Sequence, residues 1–264
     1  MPSRSVKSAE RVMEILEYFR EVGGPIRLKS VCRRFSYPAS STTALLKTLA
    51  ALGYLAFERS SYSYYPTRRI TELGDWIPEQ IEDEAVAAMM QLLNERTGEF
   101  IMLGAQNDLY VQYLRVIRST HSFQVYIDPG TQRPLVRSGL GWALLAAYAD
   151  DAIRTIYRLA VHRDLITPAT WSIEDTMRVV RDVRSRGYSV SHGTVQANVS
   201  VVAVRLAPTQ TGQSLVVGVS GPTSRIKQNL SKIATLLLDC VQIHATQSQG
   251  RGDGELATAK AAGH

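Results

Sequence analysis

At Gly98 the spacing of apolar residues changes, and with it the kind of structure the chain can form. Before it, Val6, Ala9, Val12, Met13, Leu16 and Phe19 recur every three or four positions, the period of a helix with one apolar face. Beyond it, "EFIMLGAQ" and "LYVQYLRV" shift towards the period of two that marks strands, joined by "ND", a strong hairpin turn. A chain carrying both periods in separate blocks is an α+β protein of two differently built parts. Its 264 residues are enough to give each part a core.

The first block has a definite order. A helix over 5–21 stops at "VGGP". Leu28, Val31, Cys32 and Phe35 make a short second helix, halted before Pro38. A third runs from about 39 to 52, with Leu45, Leu46, Leu49 and Leu52 inward and Gly53 as its left-handed end. Strands at "YLAF" and "YYPT" flank the polar turn "ERSSYS". Three helices and a hairpin in that order predict a winged helix-turn-helix over 1–74.

Charge separates this block from its surroundings. Between Gly24 and Ile70, eight bases stand against the single acid Glu58, whereas Glu72 to Glu84 holds six acids and no base. Such a basic module suits a polyanion. The outward side of the third helix, Ser40, Thr43, Ala44 and Lys47, has no acid. A recognition helix must enter a groove about 12 Å wide and bring short polar groups to base edges. Ser40, Ser41 and Thr43 offer hydroxyls at its N-terminal end, Ala44 permits close approach, and Lys47 reaches a guanine edge or the backbone. Arg59 on the wing and Arg33 and Arg34 at the end of the second helix sit where phosphates would pass. The expected partner is double-stranded DNA.

Residues 75–97 predict a linker helix with Ile77, Ile81, Ala85, Ala88, Met89 and Leu92 along one side. From 98 to 245 strands alternate with helices. "SFQVYI" reads as a strand, "DPGTQRP" as a loop, 138–149 and 150–161 as helices, and Ser172 with Asp175 as a cap before a helix ending at Gly187. Strands follow at "YSVS", "VSVVAVRL" and "SLVVGVS", then a closing helix over 222–245. The Gly-rich tail, 246–264, is expected to be disordered.

Several function classes are disfavoured. The chain has no G-x-S-x-G elbow and no phosphate-cradling loop with lysine, and its five histidines are scattered. An enzyme, a metal site and a cofactor are therefore not expected. No apolar run approaches the roughly 20 residues of a membrane span, the N-terminus lacks an apolar signal core, and Cys32 and Cys240 form no framework. The cytoplasm is the expected compartment.

"SVKSAERVMEILEYF", the helix running into "LLKTLAALGYL", "GTQRPLVRSGLGWALLAA", "RSRGYSVS" and "VVGVSGP" occur in the order of the IclR family of bacterial transcription factors, which the chain resembles to about Ala245. The resemblance implies a GAF-like second domain, a six-stranded antiparallel sheet with helices on its faces, that binds a small-molecule effector. It also implies a homodimer or homotetramer. By family analogy the pocket is lined by Leu103, Gly104, Gly130, Leu135, Gly139, Leu140, Trp142, Val202, Ala203, Arg205, Val217 and Ser220, with Arg133, Arg137 and Arg205 available to an acidic effector. An apolar or aromatic carboxylate is the expected class. The alternative is a ligand-independent regulator whose second domain serves only oligomerisation. Ala44 stands where the family usually has a basic residue, Trp142 where lysine is frequent, and Arg205 where proline is usual.

Overall fold

A computed structural model describes residues 6–74, 84–121, 127–207 and 213–243. The chain divides between Glu79 and Gln80 into two separately packed units. The first contains α1 (Lys7–Val22), β1 (Ile26–Arg27), α2 (Leu28–Phe35), α3 (Ala39–Ala51), β2 (Leu55–Glu58), β3 (Ser63–Pro66) and α4 (Arg69–Glu72). Its sheet has the order β1-β3-β2, all antiparallel. The sequence reading lacks β1 and α4, which are too short to establish a period. Ile15, Phe19, Ile26, Val31, Leu46, Leu49, Leu55 and Tyr64 make the core. On α3 the buried side is Thr42, Leu46 and Leu49, whereas Leu52, expected inward, is exposed. Gly53 adopts φ +80°, and the Tyr54 N–H donates to Leu49 O at 2.9 Å. Such a bond closes the helix end so that the chain can turn into the wing.

The second unit begins with α5 (Glu84–Thr97) and continues through β4 (Phe100–Asn107), β5 (Tyr110–Ile117), β6 (Gln132–Pro134), α6 (Gly139–Leu145), α7 (Asp150–His162) and α8 (Ile173–Arg186). It then forms β7 (Ser189–His192), β8 (Val199–Arg205), β9 (Leu215–Pro222), α9 (Thr223–Gln228) and α10 (230–243). The six strands lie in the order β6-β5-β4-β9-β8-β7, every pair antiparallel. β6 falls in the stretch expected to be loop. The closing helix is interrupted at Asn229, whose φ of −107° and ψ of 11° leave the helical region. Of the expected strand over 122–127 only Ile127, which is not in a strand, is described; residues 75–83 and the tail lie outside the described residues.

Alternation assigns the two sheet faces. Met102, Val111, Tyr113, Ala203 and Val216 pack under α6, α7 and α8. Ile101, Leu103, Val202, Val204, Val217 and Val219 pack under α5 and α10. The buried side of α5 is Val86, Met89, Met90, Leu93 and Asn94, so the expected stripe through Ala88 and Leu92 is rotated away from the sheet. The Ser172–Asp175 capping box opens α8, and Gly187 closes it at φ +83°. Hydrogen bonds from the Ser172 backbone N–H, then its hydroxyl, then Arg178, hold the Asp175 carboxyl below the usual carboxylate range.

Candidate nucleic-acid interface and ligand pocket

In the first unit, Tyr37 fixes the approach to α3. Its ring stacks on Phe35 at 5.3 Å between centroids and carries the Arg11 guanidinium at 4.4 Å. Its hydroxyl donates to Glu14 on α1. Desolvation first, and the Glu14 hydrogen bond second, raise the phenol pKa, so it remains a donor at neutral pH. Pro38 follows with an extended ψ of 136°, and α3 starts.

The exposed positions of α3 include Ala39, Ser40, Ala44, Lys47 and Thr48, with Ser41 and Thr43 half-buried. No acid lies on the helix. The hydroxyls divide into two kinds. Ser41 donates to Pro38 O at 3.1 Å and Thr43 to Ala39 O at 2.7 Å, so both offer acceptor lone pairs outward. The buried Thr42 likewise bonds Pro38 O at 2.9 Å, and Ser40 has no hydrogen bond among the described residues. Arg59 is exposed at the tip of the β2–β3 hairpin and Arg33 is exposed on α2. Arg34 pairs with Glu21 at 3.4 Å, with both side chains more than half exposed, a contact of little energetic weight. The exposed Thr48 is a further candidate that sequence reasoning missed, since it belongs neither to the leucine stripe nor to the first turn.

In the second unit a cleft opens where α6 crosses the sheet beside the β7–β8 loop. Met102, Tyr113, Ile127, Arg133, Ser138, Gly139, Leu140, Ser191, Thr194, Val195, Gln196, Val199, Val201 and Ser220 line it. The space it offers is about 30 Å³, room for roughly two or three waters. Arg133 is the one charged residue among these. Tyr113 lies beside it, its phenol pKa raised by burial with Arg133 opposing. Ser220 Oγ is buried and has no hydrogen-bond partner among the described residues. A buried hydroxyl without a partner is costly, and this one belongs to a residue of the pocket wall.

Of the residues expected at the pocket, Gly139, Leu140 and Ser220 line it. Gly104, Leu135 and Ala203 belong to the layer beneath α6. A Cβ at Gly104 would lie 2.9 Å from Val111 Cγ2 and one at Gly218 2.8 Å from Leu140 Cδ1, so these glycines admit the helix to the sheet. Leu103, Val202 and Val217 face the opposite side, against α5 and α10. Trp142 is buried, stacked on Trp171 at 5.4 Å and donating from Nε1 to Val136 O at 3.0 Å. Gly130, Arg137 and Arg205 lie off the wall. The wall residues missed from sequence are Met102, Tyr113, Ser191, Val199 and Val201 on strands, Ile127 and Ser138, and Thr194, Val195 and Gln196 of the loop after β7. That loop has positive φ at Gly193 and Asn198, and loops carry no periodicity to reveal them. No helix among the described residues is long and apolar enough to cross a membrane.

Two family descriptions match this chain. "IclR helix-turn-helix domain" matches residues 8–59 and "Bacterial transcriptional regulator IclR C-terminal" residues 81–244. Both are families of transcriptional regulators, not of enzymes. The HTH-type transcriptional regulator KdgR of Escherichia coli (strain K12) is 26% identical over 204 residues, 76% of each chain. The crystal structure of an IclR family transcriptional regulator from Brucella abortus is 25% identical with a TM-score of 0.57, covering 93% of this chain and 94% of its own. The Thermotoga maritima IclR structure, 16% identical, has a TM-score of 0.66 and covers 92% of this chain and 99% of its own. The last likeness establishes the fold.

Proposed function

The chain belongs to the IclR family of bacterial transcriptional regulators, which bind DNA through the helix-turn-helix, and on that premise we propose that a small carboxylate in the α6 cleft modulates its hold on an operator. The reading assigns residues 1–74 to DNA, 75–97 to connection and 98–245 to the effector. The observation that carries it is Ser220, a buried hydroxyl without a partner among the described residues, in a wall whose one described charge is Arg133. Arg133 suits a carboxylate, and Met102, Leu140, Val199 and Val201 suit a short apolar portion. An aromatic acid, the larger of the expected effectors, requires the 193–198 loop to move outward. A ligand acts only through different affinity for states that do and do not fit DNA, and a homodimer or homotetramer presents the paired heads that a palindromic site needs. The small volume of the cleft favours a second reading, in which the domain serves assembly alone.

Ser220→Ala is expected to weaken the response to an activating carboxylate about 10- to 100-fold, the effect of losing one hydrogen bond to a charged group, while leaving operator affinity unchanged. Fluorescence anisotropy with titrated short-chain carboxylates measures both. An equal response in the variant removes Ser220 from the site, and no thermal stabilisation of the wild type by any acid favours the assembly reading. For the DNA side, Lys47→Ala and Arg59→Ala should each weaken binding several-fold, and removing one cation from a phosphate should lower the salt slope by about one. Affinities and slopes equal to the wild type in both would remove α3 and the wing from the interface.

A further inference from the structure

The wing tip carries a residue that the fold does not need. Tyr62 is 74% exposed, the most exposed of the large apolar or aromatic side chains among the described residues, and its φ is +52°. A bulky L-residue in the left-handed region is strained, and a ring so exposed returns little burial to offset that strain. The ring is nevertheless held in place. It meets Phe57 edge-on at 6.3 Å and 72°, and Phe57 packs at 4.8 Å on Tyr64, which belongs to the core. A chain of three rings thus runs from the core to the tip. The one nearby acid is engaged: Ser61 Oγ donates to Glu58 Oε2 at 2.8 Å and lies 2.6 Å from Ser63 Oγ. Arg59, on the same turn, has no ion-pair partner among the described residues.

A strained, buttressed, exposed aromatic beside an unpaired cation is arranged for a partner with negative charge and flat apolar surface. Resting on the DNA-binding reading above, the geometry points to Tyr62 as a shape-reading residue: its ring enters the DNA minor groove alongside Arg59, flanking the site of α3. The minor groove is about 6 Å wide, enough for a ring presented by its edge. Its walls are deoxyribose, and its negative potential deepens where A·T runs narrow it. The ring packs on sugar, the phenol donates to a phosphate or a base-edge acceptor, and Arg59 follows the potential. The wing then selects for groove width at positions that α3 does not touch.

The test uses the full-length chain and a duplex selected by the wild type from a random-sequence pool. Hydroxyl-radical cleavage reports the minor groove and sugars, and dimethyl sulfate reports guanine N7 in the major groove. The wild type is expected to protect both. Tyr62→Gly should bind about tenfold more weakly, the loss of roughly 50 Å² of apolar packing on sugar, lose the flanking hydroxyl-radical protection, keep the guanine protection, and unfold at the same or a higher temperature because the strain is relieved. Tyr62→Phe should keep the flanking protection. Binding within twofold of wild type and an unchanged footprint would overturn the assignment. So would a Tyr62→Gly chain that unfolds at lower temperature and loses both protections together, the behaviour of a structural residue. Failure of the wild type to select or protect any duplex would instead overturn the DNA reading on which the assignment rests.

Discussion

Replacing Arg225 with methionine is expected to cost the second unit about 3–5 kcal/mol and to lower its thermal midpoint by roughly 6–20 °C. Glu99, the residue before β4, is 3% exposed, and Arg225 on α9 grips it with both arms, Nε to Oε1 and Nη2 to Oε2, the latter at 2.7 Å. The guanidinium pKa is raised chiefly by that hydrogen bond. A Cβ on Gly221 would lie 2.4 Å from Glu99 Oε2, so the carboxylate lies hard against the end of β9. Asn94 holds the same corner, donating to Glu99 O at 2.8 Å and Arg118 O at 2.9 Å. Without Arg225 the carboxylate stays buried with His121, 4.0 Å away, as its one other ion-pair neighbour among the described residues. The double variant Glu99→Gln, Arg225→Met should recover part of the loss, because an amide is cheaper to bury than a bare charge. Calorimetric scans of the three chains measure the difference; a methionine variant melting within about 1 °C of wild type refutes the pairing.

Gly141→Ala should be the most damaging exchange of glycine for alanine among the described glycines. In an exposed helix that exchange stabilises by about 1 kcal/mol. Here a Cβ would sit 2.1 Å from Leu135 O and 2.6 Å from its Cα. Both atoms are backbone, in the 3₁₀ turn Leu135–Arg137 that leads into α6. The Gly141 N–H also donates to the capping Ser138 hydroxyl at 3.2 Å, so α6 has little freedom to retreat. A cost of more than about 3 kcal/mol, with loss of roughly 6–12 °C or more in midpoint, is expected. Gly218→Ala is the control: its Cβ would meet Leu140 Cδ1 at 2.8 Å, the tip of a side chain that can rotate, and its cost should be smaller. The reverse order in circular-dichroism melts would show that the α6 approach tolerates what the distances forbid.

The recognition half of the fold is legible in the sequence because its signals are local. Helix spacing, Pro38 and Gly53 fix α3 within a residue, and Ser172 with Asp175 marks the start of α8. Two-residue β1, four-residue α4 and three-residue β6 are shorter than any period. The pocket is less legible for a different reason. Both sheet faces are covered by helices, so the strand residues are apolar on each side and alternation does not say which side is hollow. Leu103 and Gly104 are both expected at the pocket, yet adjacent strand residues point to opposite faces. Trp142, standing where lysine is frequent in the family, suggests a ligand contact from sequence; its stacking partner Trp171 lies 29 positions later, beyond any local pattern.

The middle of the second sheet joins β4 to β9, with Phe100 opposite Ser220 about 120 positions downstream. At about 5–20 residues per second, a ribosome needs roughly 6–24 s to make the intervening chain. For that interval the nascent sheet lacks its inner seam, while the amino-terminal unit, its core and sheet confined to residues before Gly74, has already emerged whole. Maturation of this protein is therefore staggered: the end that grips nucleic acid is finished first, and the end that would govern the grip is finished last.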